Sequence, residues 1–315
     1  MSKVFITDHI PNPDIEKEVL GDELSLTPHE NIEIILARSE PITKEYMDQF
    51  PHLKAIVRYG VGYDTIDLEY TKQKGIVVCN TPDYGTDEVS DTAIAMIINI
   101  ARGVSRYDFQ CRAYVTTWQD NAIKTIKRNS EIKLGIIGAG RIGGSVILKA
   151  NALKFDTFFY DPYVSRGHEK MLNTKRVDSL DELLSLADIV SINCPLNQET
   201  RGLIDEDFIA KMKHGSALVN TARGKIVKDL DLFYVALKSD KLSNVALDVI
   251  PNEPPRESRL LDAWRAREAW LDGRLLINPH TAFFSDRAFF EMRQKVALNA
   301  LRVLKGQEPF NIVNR

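Results

Sequence analysis

Short apolar runs alternate with stretches of helical periodicity along nearly the whole chain, and that alternation leaves few folds open. The first runs lie at 3–6, 32–36 (IEIIL), 55–58 (AIVR) and 76–78 (IVV), separated by helix-like stretches at 14–20, 43–50 and 66–74. Strands this apolar need cover on both faces, which is the environment of a parallel sheet joined by crossover helices. After Asn80-Thr81-Pro82 the pattern changes, and 87–102 reads as one long helix with Val89, Ala93, Met96, Ile97 and Ile100 on one face. A polar connection around 116–130 leads to a second series of runs at 133–137, 157–160, 189–193, 217–220, 244–249 and 275–277. Helices fit between them at 142–153, 181–186, 206–212 and 230–237, and a last helix fits at 286–304. Several of these open on Asp or Glu, which suits the positive end of a helix dipole. The chain therefore reads as α/β, two consecutive units in series. Only 251–273, with its Pro, Arg and Trp residues, breaks the rhythm, and a connection of that length is often functional.

Composition excludes several classes. A length of 315 residues favours two domains, and 44% hydrophobic with 27% charged residues is ordinary for a globular chain. A net charge of -3 with no basic block gives no reason to expect nucleic acid or a membrane surface, so a small anionic substrate would need a local positive site. Cys79, Cys111 and Cys194 form no C-x-x-C pair and have no metal-ligand spacing; free thiols in a reducing cytoplasm and no metal are expected. The opening MSKVFITDHI carries no long apolar core, and the run 93–98 is too short to span a bilayer.

Gly138-Ala139-Gly140-Arg141-Ile142-Gly143 follows the run KLGII and opens a helix. In that context Gly138 permits a tight turn, Gly140 lets backbone approach a pyrophosphate, and Gly143 lets helix and strand pack closely. The free amides and dipole of the new helix would face the phosphates. The next run, TFFY, ends in Asp161, placed as an acid that takes the ribose hydroxyl and repels a 2′-phosphate; NAD is expected over NADP.

Ligands of open α/β sheets gather outside the carboxyl ends of the strands. Three run ends of the second series carry Arg223, Glu253 and His280, and the run AIVR of the first ends in Tyr59-Gly60-Val61-Gly62, whose bare amides could hold a carboxylate. Transfer of hydride to a 2-oxo acid needs a proton donor, a cation at the carbonyl and a group that tunes the donor. Histidine titrates near neutrality, a neighbouring Glu253 favours the imidazolium, and the planar fork of Arg223 can bridge two oxygens. Singly, each residue is as readily a turn residue, a solvated carboxylate or a surface ion-pair partner; it is their convergence beside a dinucleotide turn that points to chemistry.

Across almost its whole length the chain resembles the D-isomer-specific 2-hydroxyacid dehydrogenases, in RYGVGYDTID, GAGRIGG, Tyr160-Asp161-Pro162, NTARG, ALDV with NEP, and NPHTA. Within that family it is most similar to the C-terminal-binding-protein branch, through IVVCNTPDYGTDEVSDTA, FFYDPYVSRG and PHTAFFSDRAFFEMR. The resemblance implies two flavodoxin- and Rossmann-like doubly wound parallel-sheet domains with a cleft between them. The chain would cross near Thr81 and Ser285, giving a substrate-binding domain at 1–81 and 286–315 and an NAD-binding domain at 82–285. It implies that Arg223 binds and polarises substrate, His280 is the acid/base and Glu253 orients it. The cofactor-binding set is then Gly138, Gly140, Arg141, Ile142, Gly143, Asp161, Cys194, Pro195, Thr200, Thr221, Ala222, Asp248 and His280. The substrate-binding set is Arg58, Val61, Gly62, Arg223 and Phe283. A homodimer through the NAD-binding domain, acting on a small 2-oxo or 2-hydroxy acid, completes the expectation. Phe283 departs from the Trp of eukaryotic branch members, which leaves the preferred substrate side chain open, and the long 254–273 segment is either a lid, a reach to a partner or a packed excursion. Two rival readings stand beside the dehydrogenase: an NAD(H)-sensing corepressor-like binding protein with little turnover, and a reductase of a phospho- or phosphono-2-oxo acid.

Overall fold

The computed structural model describes every residue except 1, 8, 9, 11, 113–117 and 120, so Thr116, Thr117 and Asp120 of the polar connection expected at 116–130 lie outside the described residues. The chain divides into two compact units, Met1–Gly85 with Phe284–Arg315, and Thr86–Phe283.

In the first unit, strands β1 (Val4–Ile6), β2 (Leu24–Ser25), β3 (Ile34–Ala37), β4 (Ala55–Arg58) and β5 (Val77–Cys79) form one sheet in the order β2-β1-β3-β4-β5. Every pairing is parallel, and the order is the flavodoxin-like one. Side chains alternate between two covered faces. Ile34 and Leu36 of β3 pack with Met292, Val296 and Ala300 of the C-terminal helix (Asp286–Leu304); Ile35 and Ala37 pack with Ile42, Met47 and Phe50 on the other side. Helices α1 (Asp14–Leu20), α2 (Lys44–Met47) and α3 (Leu68–Lys74) complete the layers. A buried ion pair ties α1 to the C-terminal helix: the fully buried Glu16 accepts from Arg293 Nε (3.0 Å) and from the Tyr59 hydroxyl (2.9 Å). Strand β2 was not read from the sequence, because two residues carry no periodicity.

The second unit holds α4 (Thr86–Arg102), α5 (Val104–Cys111), β6 (Lys133–Ile137), α6 (Arg141–Ala152), β7 (Asp156–Tyr160), α7 (His168–Met171), β8 (Lys175–Arg176), α8 (Leu180–Leu186) and β9 (Ile189–Ile192). It continues with α9 (Glu206–Lys211), β10 (Ser216–Asn220), α10 (Asp231–Lys238), β11 (Leu242–Leu247), α11 (Arg259–Arg265) and β12 (Leu275–Ile277). Its seven strands run parallel in the order β12-β11-β10-β9-β6-β7-β8, the Rossmann order extended by one strand, with the winding reversing between β6 and β9. Met96, Ile97, Val146 and Ile147 of α4 and α6 cover one face through Leu134, Ile136 and Phe159. Leu183, Phe208 and Phe233 of α8, α9 and α10 cover the other through Ile137, Val190 and Leu218.

The elements missed here have physical reasons. Helix α5 begins after Gly103, whose φ of +63° ends α4, and it buries no side chain, so it has no apolar stripe to read. The irregular 251–273 stretch contains α11, which buries Leu260, Leu261 and Ala263. Asp231 of α10 anchors it, accepting from Ser258 Oγ (2.8 Å), Arg259 Nε (2.9 Å) and Leu260 N (3.2 Å). The segment is packed against its own unit. Among the described residues no helix is long and apolar enough to cross a membrane.

Candidate active site

The glycine turn after β6 is built for two different needs. Gly138 sits at φ +87°, and a Cβ there would lie 2.7 Å from Cys194 N; a Cβ on Gly143 would lie 1.9 Å from Gly138 O. The protein itself requires both to be bare. A Cβ on Gly140 would meet nothing within 4 Å, so nothing in the protein around it calls for a glycine there and the space beside it is open. Gly140 is the N-cap of α6 with no side-chain cap, and the amides of Gly140, Arg141 and Ile142 meet no acceptor among the described residues. An uncapped helix start with a bare approach fits a pyrophosphate. Asn193 Oδ1 and Thr221 Oγ1, at the ends of β9 and β10, are buried with no hydrogen-bond partner among the described residues, which again fits a polar cofactor.

Neighbouring residues shape the turn. Asp161 Oδ2 accepts from Ala139 N (2.9 Å), and its Oδ1 accepts from Tyr163 N (2.9 Å) and Val164 N (3.3 Å), so this carboxylate organises both loops. His168 Nε2 donates to Ala139 O (2.8 Å). Thr200 Oγ1 donates to Pro195 O (2.6 Å) and fixes the turn after β9. Burial pushes the Cys194 thiol up to about 12, so it stays protonated at the edge of this site.

At the ends of β10, β11 and β12 the structure brings Arg223, Asp248, Glu253 and His280 together. Asn220 folds the first turn, its Oδ1 accepting from Ala222 N (3.0 Å) and its Nδ2 donating to Arg223 O (3.0 Å). Arg223 Nη1 donates to Ala222 O (2.8 Å), and a Cβ on Gly224 would lie 1.8 Å from Ile250 O, so the turns after β10 and β11 are in backbone contact. Asp248 is 2% exposed; its Oδ1 accepts from Thr281 N and Ala282 N (3.0 Å each), and its carbonyl accepts from His280 N (2.8 Å). These bonds hold His280 at φ +56°. Burial raises the Asp248 carboxyl above its ordinary range against the two amides and the His280 charge.

His280 Nδ1 lies 2.6 Å from Glu253 Oε2, while Glu253 Oε1 accepts from Ile250 N (3.0 Å). Burial works to raise the Glu253 carboxyl, but the His280 hydrogen bond and charge, the Ile250 amide and the Arg223 charge outweigh it and hold it below the usual carboxylate range. With Nδ1 engaged and the side chain 43% exposed, Nε2 is the nitrogen left to act. The Phe283 ring meets the imidazole edge-on at 6.5 Å.

In the first unit, three successive carbonyls of Tyr59-Gly60-Val61-Gly62 are turned into the protein. Arg58 Nη1 donates to Tyr59 O, Thr81 N to Gly60 O (2.9 Å), and Asn80 Nδ2 to Val61 O (2.7 Å). The N–H of a trans peptide points opposite its C=O, so the Val61 and Gly62 amides face away from those donors, and they meet no acceptor among the described residues. Two convergent bare amides suit a carboxylate. Arg58, expected at the substrate, spends part of its guanidinium on this turn.

Sequence reasoning missed Asn80, Thr81 and His168. The first two mark a break in the pattern and a crossing of the chain, which gives no sign that they donate to the turn at 59–62; His168 is a single histidine in a polar loop, and nothing in its spacing marks it. Among the described residues no group of three or more His, Cys, Asp or Glu could hold a metal ion.

Residues 94–282 match the family model described as D-isomer specific 2-hydroxyacid dehydrogenase, NAD binding domain. The chain is 31% identical over 325 residues to a D-3-phosphoglycerate dehydrogenase of Methanocaldococcus jannaschii, a match covering 100% of this chain and 60% of that protein. It is 29% identical over 294 residues to C-terminal-binding protein 1 of Caenorhabditis elegans, covering 91% of this chain and 39% of that protein. The chain thus spans 60% and 39% of the length of these two curated relatives. Among solved structures, the D-lactate dehydrogenase of Aquifex aeolicus complexed with NAD and lactic acid superposes with a TM-score of 0.86 at 28% identity, covering 100% of this chain and 99% of that one.

Proposed function

This chain belongs to the D-isomer specific 2-hydroxyacid dehydrogenase family, and we propose that it interconverts a D-2-hydroxy acid and a 2-oxo acid with NAD as its cofactor. The observation that carries this reading is the 2.6 Å His280–Glu253 pair, standing where Arg223 also acts on Glu253. The residues that would hold the cofactor are the bare turn at Gly138, Gly140 and Gly143, the first amides of α6, Asp161, Thr221, Ala222 and Asp248. When bound, the reduced nicotinamide supplies the hydride. Arg223 pairs with oxygens of the 2-oxo acid and stabilises the negative charge that grows on the carbonyl oxygen. His280, protonated at Nε2, hands that oxygen a proton, and in the oxidative direction takes it back. Glu253 fixes the ring and balances the charge of the imidazolium. The amides of Val61 and Gly62 are assigned the substrate carboxylate. Asp161 disfavours a 2′-phosphate, which selects NAD over NADP.

The test is a panel of 2-oxo acids, including a phosphonate-bearing one, with NADH and with NADPH. Loss of NADH absorbance with at least one acid is expected, and His280→Ala should lower turnover by roughly two to four orders of magnitude while NADH still binds. Undiminished turnover in that variant would remove His280 from the mechanism; peptide capture without any turnover would replace the enzyme by a binding protein. Pairing of two copies is assigned to the second unit, where α5 and α11 leave Val104 (55%) and Trp264 (38%) exposed. Sedimentation should return twice the mass of the chain.

A further inference from the structure

We propose that His168 is a positioning residue for the cofactor's pyrophosphate, acting through the peptide that joins Ala139 to Gly140. The inference rests on the reading of the glycine turn as the phosphate site.

The Ala139–Gly140 peptide is the one whose N–H the turn must aim at a phosphate. Its direction is set by what takes its carbonyl, because N–H and C=O of a trans peptide point opposite ways. Among the described residues no backbone amide takes the Ala139 carbonyl; the imidazole Nε2–H of His168 does, at 2.8 Å. On the other side of the same residue, Ala139 N is fixed by Asp161 Oδ2 at 2.9 Å. Ala139 is thereby clamped between a carboxylate that receives its amide and an imidazole that donates to its carbonyl. The Gly140 N–H is left pointing away from His168, in the region where a Cβ on Gly140 would meet nothing within 4 Å.

The imidazole is itself held. His168 opens α7 after Gly167, whose φ is +97°, and its ring meets the Phe159 ring edge-on at 6.2 Å and 82°. Arg176 lies over the same Phe159 ring, 5.9 Å from its centroid, and donates through Nη2 to Asp161 O (2.8 Å). Asp161, Arg176, Phe159 and His168 therefore form one bracket around Ala139, built from the end of β7, the start of α7 and β8. A leucine at 168 would fill the space and leave the carbonyl without its donor. A glutamine places an N–H at nearly the reach of the imidazole Nε2 and should restore it.

The experiment compares wild type, His168→Leu and His168→Gln by calorimetric titration with NADH, ADP-ribose and adenosine, with melting temperature as the control for folding. His168→Leu should weaken NADH and ADP-ribose by about tenfold, the scale of one misdirected hydrogen bond to a charged group, and leave adenosine unchanged. His168→Gln should recover most of that loss, and the KM for the 2-oxo acid at saturating NADH should not move. Parallel weakening of all three ligands would make His168 a general support of the loop and overturn the proposal, as would unchanged affinity for NADH. Wild type that binds neither NADH nor ADP-ribose would instead refute the phosphate-site reading itself.

Discussion

Gly60-Val61-Gly62 and Gly138-Ala139-Gly140 are both glycine-bearing turns at the carboxyl end of a parallel strand, and both leave backbone amides without an acceptor, yet they are held open by different means. In the second unit close packing sets the frame: Gly138 and Gly143 touch backbone at distances no side chain could survive, the start of α6 supplies aligned amides, and a single donor, His168, takes the Ala139 carbonyl. In the first unit it is a matter of donors: Arg58, Thr81 and Asn80 each take one carbonyl and so decide which way the amides face. A turn made by close packing is written in its own few residues. A turn made by donors is marked by its glycines, but the way its amides face depends also on Asn80 and Thr81, which lie outside it.

The largest effects should separate the two glycine roles within the second turn. Gly143→Ala forces a methyl to 1.9 Å from the Gly138 carbonyl, and should cost ~3 kcal/mol of stability along with NADH binding. Gly140→Ala meets only open space, so its melting temperature should stay at the wild-type value while NADH binding weakens by at least roughly tenfold. If the two variants lose stability alike, the division into packing and ligand glycines is wrong.

The donor-made turn should break differently. Asn80→Asp is isosteric but sets a carboxylate oxygen against Val61 O, and should turn that peptide. The KM for the 2-oxo acid should rise by about tenfold with NADH affinity unchanged. An unchanged KM would mean that the carboxylate is held elsewhere.

The same contrast explains what was legible beforehand. The alternation of apolar runs led to both sheets because the inner strands, such as β3, β9 and β10, are buried on both faces, and the order of strands matched the doubly wound pattern that the resemblance implied. Arg223, Glu253 and His280 were readable as strand-end residues. What escaped were elements with no apolar stripe, such as α5 and β8, and contacts made across sequence. Asn80 reaches back to Val61, and His168 reaches back to Ala139; such bonds exist only once the chain has folded. The packing of the long 251–273 stretch stayed open for a related reason, since the residue that anchors α11 is Asp231, well outside it.

Asp161 tests whether an acid can serve structure and selectivity at once. Asp161→Asn must turn an NH2 toward either Ala139 N or the Tyr163 and Val164 amides, so one contact is lost whichever way it rotates. NADH affinity should fall by roughly threefold to tenfold, and NADPH should remain the weaker ligand. A clean exchange of preference to NADPH would show that the carboxylate acts on the ribose alone.

Asp248 is the opposite of the bare turns: here the amides, those of Thr281 and Ala282, are given a buried acid of the protein's own. Burial raises its carboxyl above the ordinary range, so through the interval between the unfolded and folded values the native state binds more protons than the unfolded one. Stability from this group is therefore present at low pH and declines as pH rises through that interval. Asp248→Asn keeps an oxygen for both amides and removes the titration. Relative to wild type, its melting temperature should climb from below the carboxylate range toward neutrality, the smallest of these effects. A difference independent of pH would mean that the two amides offset the burial completely, and that an internal acid closes a turn at no electrostatic cost.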